Sequence, residues 1–101
     1  METITLTLVI NGVESEVVCE ILARGGIWQA AIIQDRQILE MINATSLMDC
    51  FANLVKELNK LGEVVNITGS TKPHYPLLLE SHLRLLRSDI LLRKPIKKKS
   101  S

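Results

Sequence analysis

Along the first ten residues polar and apolar positions alternate, with Thr3, Thr5 and Thr7 set against Ile4, Leu6, Leu8 and Ile10. A period of two is what a strand shows when one of its faces is buried, so the pattern predicts a strand over residues 3–10. Asn11-Gly12 follows at once. That pair accepts positive φ at both centres of a type I′ turn and sends the next segment back antiparallel. Over residues 13–22, Glu14, Glu16 and Glu20 fall on one face, and Ser15, Val17, Cys19 and Ile21 on the other. Gly25-Gly26 makes a second turn, and IWQAAII, residues 27–33, reads as a central strand, short, apolar and bounded by turn residues. Gln34-Asp35-Arg36 turns the chain again. Residues 37–43 then supply a fourth strand, with Ile38 and Glu40 on one side and Leu39 and Met41 on the other.

The period then changes. Leu47, Phe51, Leu54, Val55, Leu58 and Leu61 recur at spacings of three and four, with Asp49, Asn53, Lys56 and Lys60 opposite them, the signature of an amphipathic helix. Thr45 or Ser46 caps its free N–H groups, Ser46 with Asp49 approximates a capping box, and Gly62 marks the stop. Residues 63–68 read as a short fifth strand. The prolines of GSTKPHYP, residues 69–76, argue for a linker, and a second helix starts near Leu77 and ends before Pro95.

These elements predict an α+β fold, an antiparallel four-stranded β-meander packed on one helix and followed by a C-terminal helix. The organisation expected is a core over residues 1–69, a linker over 70–76, an assembly helix over 77–94 and a basic disordered tail over 95–101. The core is expected to contain Ile4, Leu6, Leu8, Val17, Ile21, Ile32, Leu47, Phe51, Leu54, Leu58, Leu83 and Leu86.

At about 100° per residue the last helix carries two apolar stripes. Leu79, Leu83, Leu86 and Ile90 form one, and Leu78, Leu85 and Leu92 the other, with His82, Asp89 and Arg93 on a narrow polar line between them. A helix docked on its own sheet needs one stripe. The second is matched most simply by another copy of the chain, because closed twofold dimers are the commonest oligomer. Leu78, His82, Leu85, Asp89 and Leu92 are therefore the expected dimer or partner interface. Two alternatives stand beside it: a groove of the same domain hides both stripes, or the second stripe is surface leucine.

Composition sharpens this picture. The chain has 101 residues, enough for one domain with a thin core, and is 47% hydrophobic but only 3% aromatic, so aliphatic side chains must fill that core. Formal net charge is +1, yet Lys94, Lys97, Lys98 and Lys99 crowd the end, leaving the rest slightly acidic. Together with Arg84, Arg87 and Arg93 they form a candidate phosphate-binding set able to neutralise a nucleic-acid backbone without reading its sequence. Two cysteines are too few for a disulfide framework, and no charged-then-apolar leader opens the chain. A reduced, cytoplasmic protein is expected. Its apolar runs fall well short of the ~20 residues that span a bilayer, so no membrane association is expected.

Candidate chemistry is sparse. His74 and His82 have no carboxylate or cysteine at a metal-like spacing, so no metal and no cofactor are expected. A loop position at 74, and a pairing of His82 with Asp89 or a backbone group, account for both. Cys50 lies near a helix start, where the dipole lowers a thiol pKa, but it also borders the core beside Phe51. Glu14, Glu16 and Glu20 would repel one another if packed, and face solvent. Gly25-Gly26 lacks the spacing of a phosphate loop. Trp28 lies on a strand without positive charge, unlike an aromatic platform for single-stranded nucleic acid.

GGIWQAAI and NATSLMDCFANLVKEL, within residues 25–58, resemble the N-terminal domain of HicB-type antitoxins. In that family a Gly-bearing turn leads into an aromatic-containing strand. After a further strand, a Thr/Ser-Leu-x-Glu/Asp-Ala motif opens a helix with Asn and Leu one turn on. The corresponding residues are Ser46, Leu47, Asp49, Cys50, Asn53 and Leu54, while IIQDRQILEMI replaces the family's Pro-x-x-Pro-Gly-like stretch. The resemblance implies a small α+β domain that self-associates and binds a small partner protein whose activity it blocks. The family's appended DNA-binding segment has no recognisable counterpart in residues 77–101. The resulting expectation is a non-enzymatic homodimeric interaction or regulatory protein, with nucleic-acid association through the basic C-terminus as the alternative.

Overall fold

The computed structural model describes the backbone of residues 1–100 and the side chains of residues 1–88. Its elements are β1 (Glu2–Ile10), β2 (Val13–Arg24), β3 (Ile27–Gln34), β4 (Gln37–Ala44), α1 (Leu47–Leu61), β5 (Glu63–Ser70) and α2 (Tyr75–Ser100). The fold is α+β, with one five-stranded antiparallel sheet in the order β4-β3-β2-β1-β5.

The meander follows from its turns. Asn11 and Gly12 adopt φ of 52° and 79°, the conformation a type I′ turn demands, and Ile10 pairs with Val13 across it. Gly25 and Gly26 repeat the device at 58° and 79°. Between β3 and β4 the same geometry is imposed on Asp35 and Arg36, at 51° and 65°, and Arg36 has no short side chain to ease the left-handed conformation.

The short strand read over residues 63–68 joins the four-stranded meander as the sheet's fifth member. β5 pairs antiparallel with β1 and runs to Ser70, through residues expected to be linker, with irregularities opposite Thr5/Leu6 and Thr7/Leu8. Thr71 prolongs the pairing, because the Thr3 N–H donates to its Oγ1 at 2.8 Å and the Thr71 N–H donates to the Thr3 carbonyl at 3.0 Å. The linker shrinks to a tight turn. α2 begins at Tyr75, with the first helical bond running from the Leu78 N–H to the His74 carbonyl at 3.1 Å. Pro76 fits there because N–H groups in a helix's first turn have no partner within the helix. α2 also continues past Pro95, where the sequence placed its end, since proline's fixed φ is itself helical and the residue removes one bond.

Both helices lie on one face of the sheet. Ile4, Leu6, Leu8, Val17, Cys19, Ile21 and Ile32 point to them and are fully or almost fully buried. From α1, Cys50, Phe51, Leu54, Val55 and Leu58 close the core, and from α2, Tyr75, Leu79 and Leu83 do so. Leu47 and Leu86, expected inside, are half-buried at its margin. The Ser46 hydroxyl accepts from the Asp49 N–H at 3.1 Å, capping α1 as expected. At the other end Gly62 has φ of 176°, an ordinary extended value, so glycine's tolerance of positive φ is not what places it there. A Cβ at Gly62 would run into the Val9 carbonyl oxygen.

The opposite face of the sheet is open, as antiparallel sheets allow. It carries Thr3, Thr5 and Thr7 from β1 and Glu14, Glu16 and Glu20 from β2.

Candidate functional site

α2 has apolar residues on two sides because it fills the angle between β5 and α1. Leu83 lines a groove of about 270 Å³ beside β5, with Val64, Val65, Asn66, Ile67, Glu80, Arg84 and Arg87. His82, Leu85 and Leu86 line a second, apolar groove of about 220 Å³ against Ala52, Val55 and Lys56 of α1.

The residues expected to form one interface therefore separate. His82 is 9% exposed, its ring stacks on Phe51 with centroids 6.2 Å apart, and its Nδ1 lies 2.9 Å from the Leu78 carbonyl oxygen. A carbonyl only accepts, so Nδ1 carries the hydrogen and the backbone partner satisfies it. Leu78 is half-buried against the core, while Leu85 stands out at 68% exposure. Asp89 and Leu92 lie outside the residues with described side chains. Of the second stripe's described residues, Leu78 packs on the chain's own core and Leu85 stands largely in solvent.

The basic set divides similarly. The Arg87 Nη2 donates to the Val64 carbonyl oxygen at 3.0 Å, and Arg84 lies 3.8 Å from Glu80 with 77% of its side chain exposed. The side chains of Arg93, Lys94, Lys97, Lys98 and Lys99 lie outside the described residues.

Both cysteines are buried and free. Burial pushes the Cys19 thiol up to about 12, and the same desolvation raises Cys50 despite its place in the first turn of α1. Neither is an activated nucleophile. Tyr75 is raised too, first by burial and then by the charges of Glu2 and Cys50, and its ring meets Phe51 edge-on at 5.2 Å. Among the described residues no group of three or more His, Cys, Asp or Glu side chains is placed to hold a metal ion. No helix among them is long and apolar enough to cross a membrane.

One surface escaped the sequence reading. β4 is an edge strand, and Ile38, Leu39 and Met41 are 60%, 39% and 47% exposed. Ile33 faces Ile38 while Ile32 faces Glu40, so Leu39 is an extra residue. That bulge puts Ile38 and Glu40 on opposite faces, correcting the expected alternation. Apolar residues on both sides of ILEMI were the available signal, but they suit an interior strand equally well.

No family model matches this chain, and no curated protein or solved structure matches it either.

Proposed function

We propose that the chain is a small non-enzymatic homodimeric interaction protein of antitoxin-like, regulatory character that binds a protein partner. The observation carrying this reading is Leu85. It leaves two-thirds of its surface to solvent beside an apolar groove between α1 and α2 whose walls include Ala52, Val55 and Leu86. An apolar groove with a protruding leucine at its rim is self-complementary, because the Leu85 of each copy can enter the groove of the other about a twofold axis. Light scattering of the full chain should give a dimer, and Leu85→Glu a folded monomer. A wild-type chain that stays monomeric at every concentration overturns the reading.

Arg84 supports a second reading, nucleic-acid association through the basic C-terminus, because its guanidinium is largely exposed and only loosely held by Glu80. Retention on nucleic acid that falls with salt and disappears when residues 94–101 are removed would favour it.

A further inference from the structure

The two edges of the sheet differ in how they are finished. On the β5 edge the Arg87 guanidinium donates to the Val64 carbonyl at 3.0 Å, α2 runs alongside, and two irregularities break the strand. Irregularities, inward-reaching charge and a covering helix are the usual ways of blocking a strand edge. The β4 edge has much less. QILEMINA contains no lysine and no proline, and the bulge at Leu39 leaves Glu40 to Ala44 as a regular run. The Met41 N–H is met by the Glu40 carboxylate, at 3.4 Å, rather than by a ladder partner. That contact is long for an N–H···O bond, which is normally about 2.9 Å.

We propose that the outer edge of β4 is a strand-addition site for an extended segment of a partner protein in which apolar residues alternate with lysine or arginine. This rests on the reading of the chain as a partner-binding protein, and gives that partner a place separate from the α1–α2 groove. A strand laid along β4 supplies a main-chain carbonyl to the Met41 N–H, replacing the Glu40 carboxylate and freeing it. Its apolar side chains cover Ile38 and Met41, the two exposed apolar residues paired with β3 on the open face.

Charge decides the occupant. Through residue 44 the acidic residues are Glu2, Glu14, Glu16, Glu20, Asp35 and Glu40, against Arg24 and Arg36 alone. Lys60, whose ammonium feels the Glu40 charge, is held by Glu57 at 2.9 Å. At the edge itself an acidic strand would meet Glu40, and behind it the unbalanced carboxylates of β2. A second copy paired antiparallel about the middle of β4 would bring two Glu40 carboxylates close together, which is unfavourable across strands. A cationic strand relieves both.

The test is a titration of the isotope-labelled full chain with a blocked peptide of alternating valine and lysine, eight residues long like β4. The Met41 and Asn43 amides should shift and gain protection from exchange. Met41→Pro, which removes an N–H the ladder does not use, should weaken binding about tenfold or more. Met41→Lys should weaken it as well, and serves where the proline variant does not fold. A valine-glutamate peptide should not bind. Shifts confined to β5 and α2, affinity untouched by both variants, or equal binding of the acidic peptide each overturn the proposal. So does Met41 protection that rises with protein concentration alone, since a second copy would then hold the edge. A Leu85→Glu chain that binds the peptide normally supports the β4 site whatever its oligomeric state.

Discussion

His82 of α2 stacks on Phe51 of α1, ring planes 23° apart and centroids separated by 6.2 Å, with its Nδ1–H bonded to the Leu78 carbonyl. Tyr75 meets the other side of the relationship by packing edge-on against the same Phe51, so one phenylalanine anchors α2 through two rings. Truncating His82 removes a buried ring and a stacked contact, and His82→Ala should lower stability by roughly 1–3 kcal/mol. Denaturant unfolding measures the loss. An unchanged monomer stability would show that the stack on Phe51 contributes nothing to the fold.

Gly62 joins α1 to β5 where the chain passes against Val9 of β1. The glycine is required by proximity, since its φ suits any residue. Gly62→Ala should destabilise the fold by about 1–3 kcal/mol, because neither the Val9 backbone nor the adjacent Ile10 side chain can move away freely. Gly69→Ala is the control. A Cβ there would only touch Thr5 at an ordinary 4.0 Å, and its effect should be much smaller in the same thermal or chemical melt.

What the chain reveals locally it reveals well. Asn11-Gly12, Gly25-Gly26 and the Ser46 cap are short-range devices whose geometry depends on a few neighbours, and the three-and-four spacing of α1 is likewise local. The features that escaped depend on what lies across space. Nothing in Glu63 to Ser70 announces that β1 is its partner, and only that pairing makes β4 and β5 the two edges. The stripe of Leu78, Leu85 and Leu92, with His82 on the polar line beside it, is visible on a helical wheel, but a wheel does not say whether α1 or another molecule covers it. Pro76 misled for a different reason, because a proline that breaks a helix interior is well accommodated in a first turn.

The turn between β3 and β4 carries removable strain. Arg36 holds φ of 65° without the glycine that the other two hairpins use. An L-residue in that region is disfavoured by about 1–2 kcal/mol, partly offset by the greater freedom glycine has in the unfolded chain. Arg36→Gly should therefore raise stability by roughly 0.5–1 kcal/mol, read as a higher denaturant midpoint with an unchanged slope. Arg36→Val, β-branched and ill suited to positive φ, should lower it. A midpoint that moves the same way for both would show that the backbone conformation is not the cause.

Cys19 links stability to alkaline pH. Its thiol, fully buried among aliphatic side chains, is pushed up to about 12 by desolvation, whereas in the unfolded chain it ionises near 9. The folded form thus keeps a proton that the unfolded form releases. The stabilisation is complete below the unfolded value and is lost as pH rises toward the folded one. Between about pH 9 and 12 this one group should lower stability by about 1.4 kcal/mol per pH unit. Cys50, Tyr75 and Lys60, also raised, add slopes of the same sign, so the isolating measurement is a difference. Cys19→Ala removes the thiol's share. Its unfolding free energy, lower than wild type at pH 7 because of the cavity, should converge on the wild-type value as pH climbs above 9. Parallel curves across that window would mean that Cys19 ionises as readily in the folded protein as in the unfolded chain.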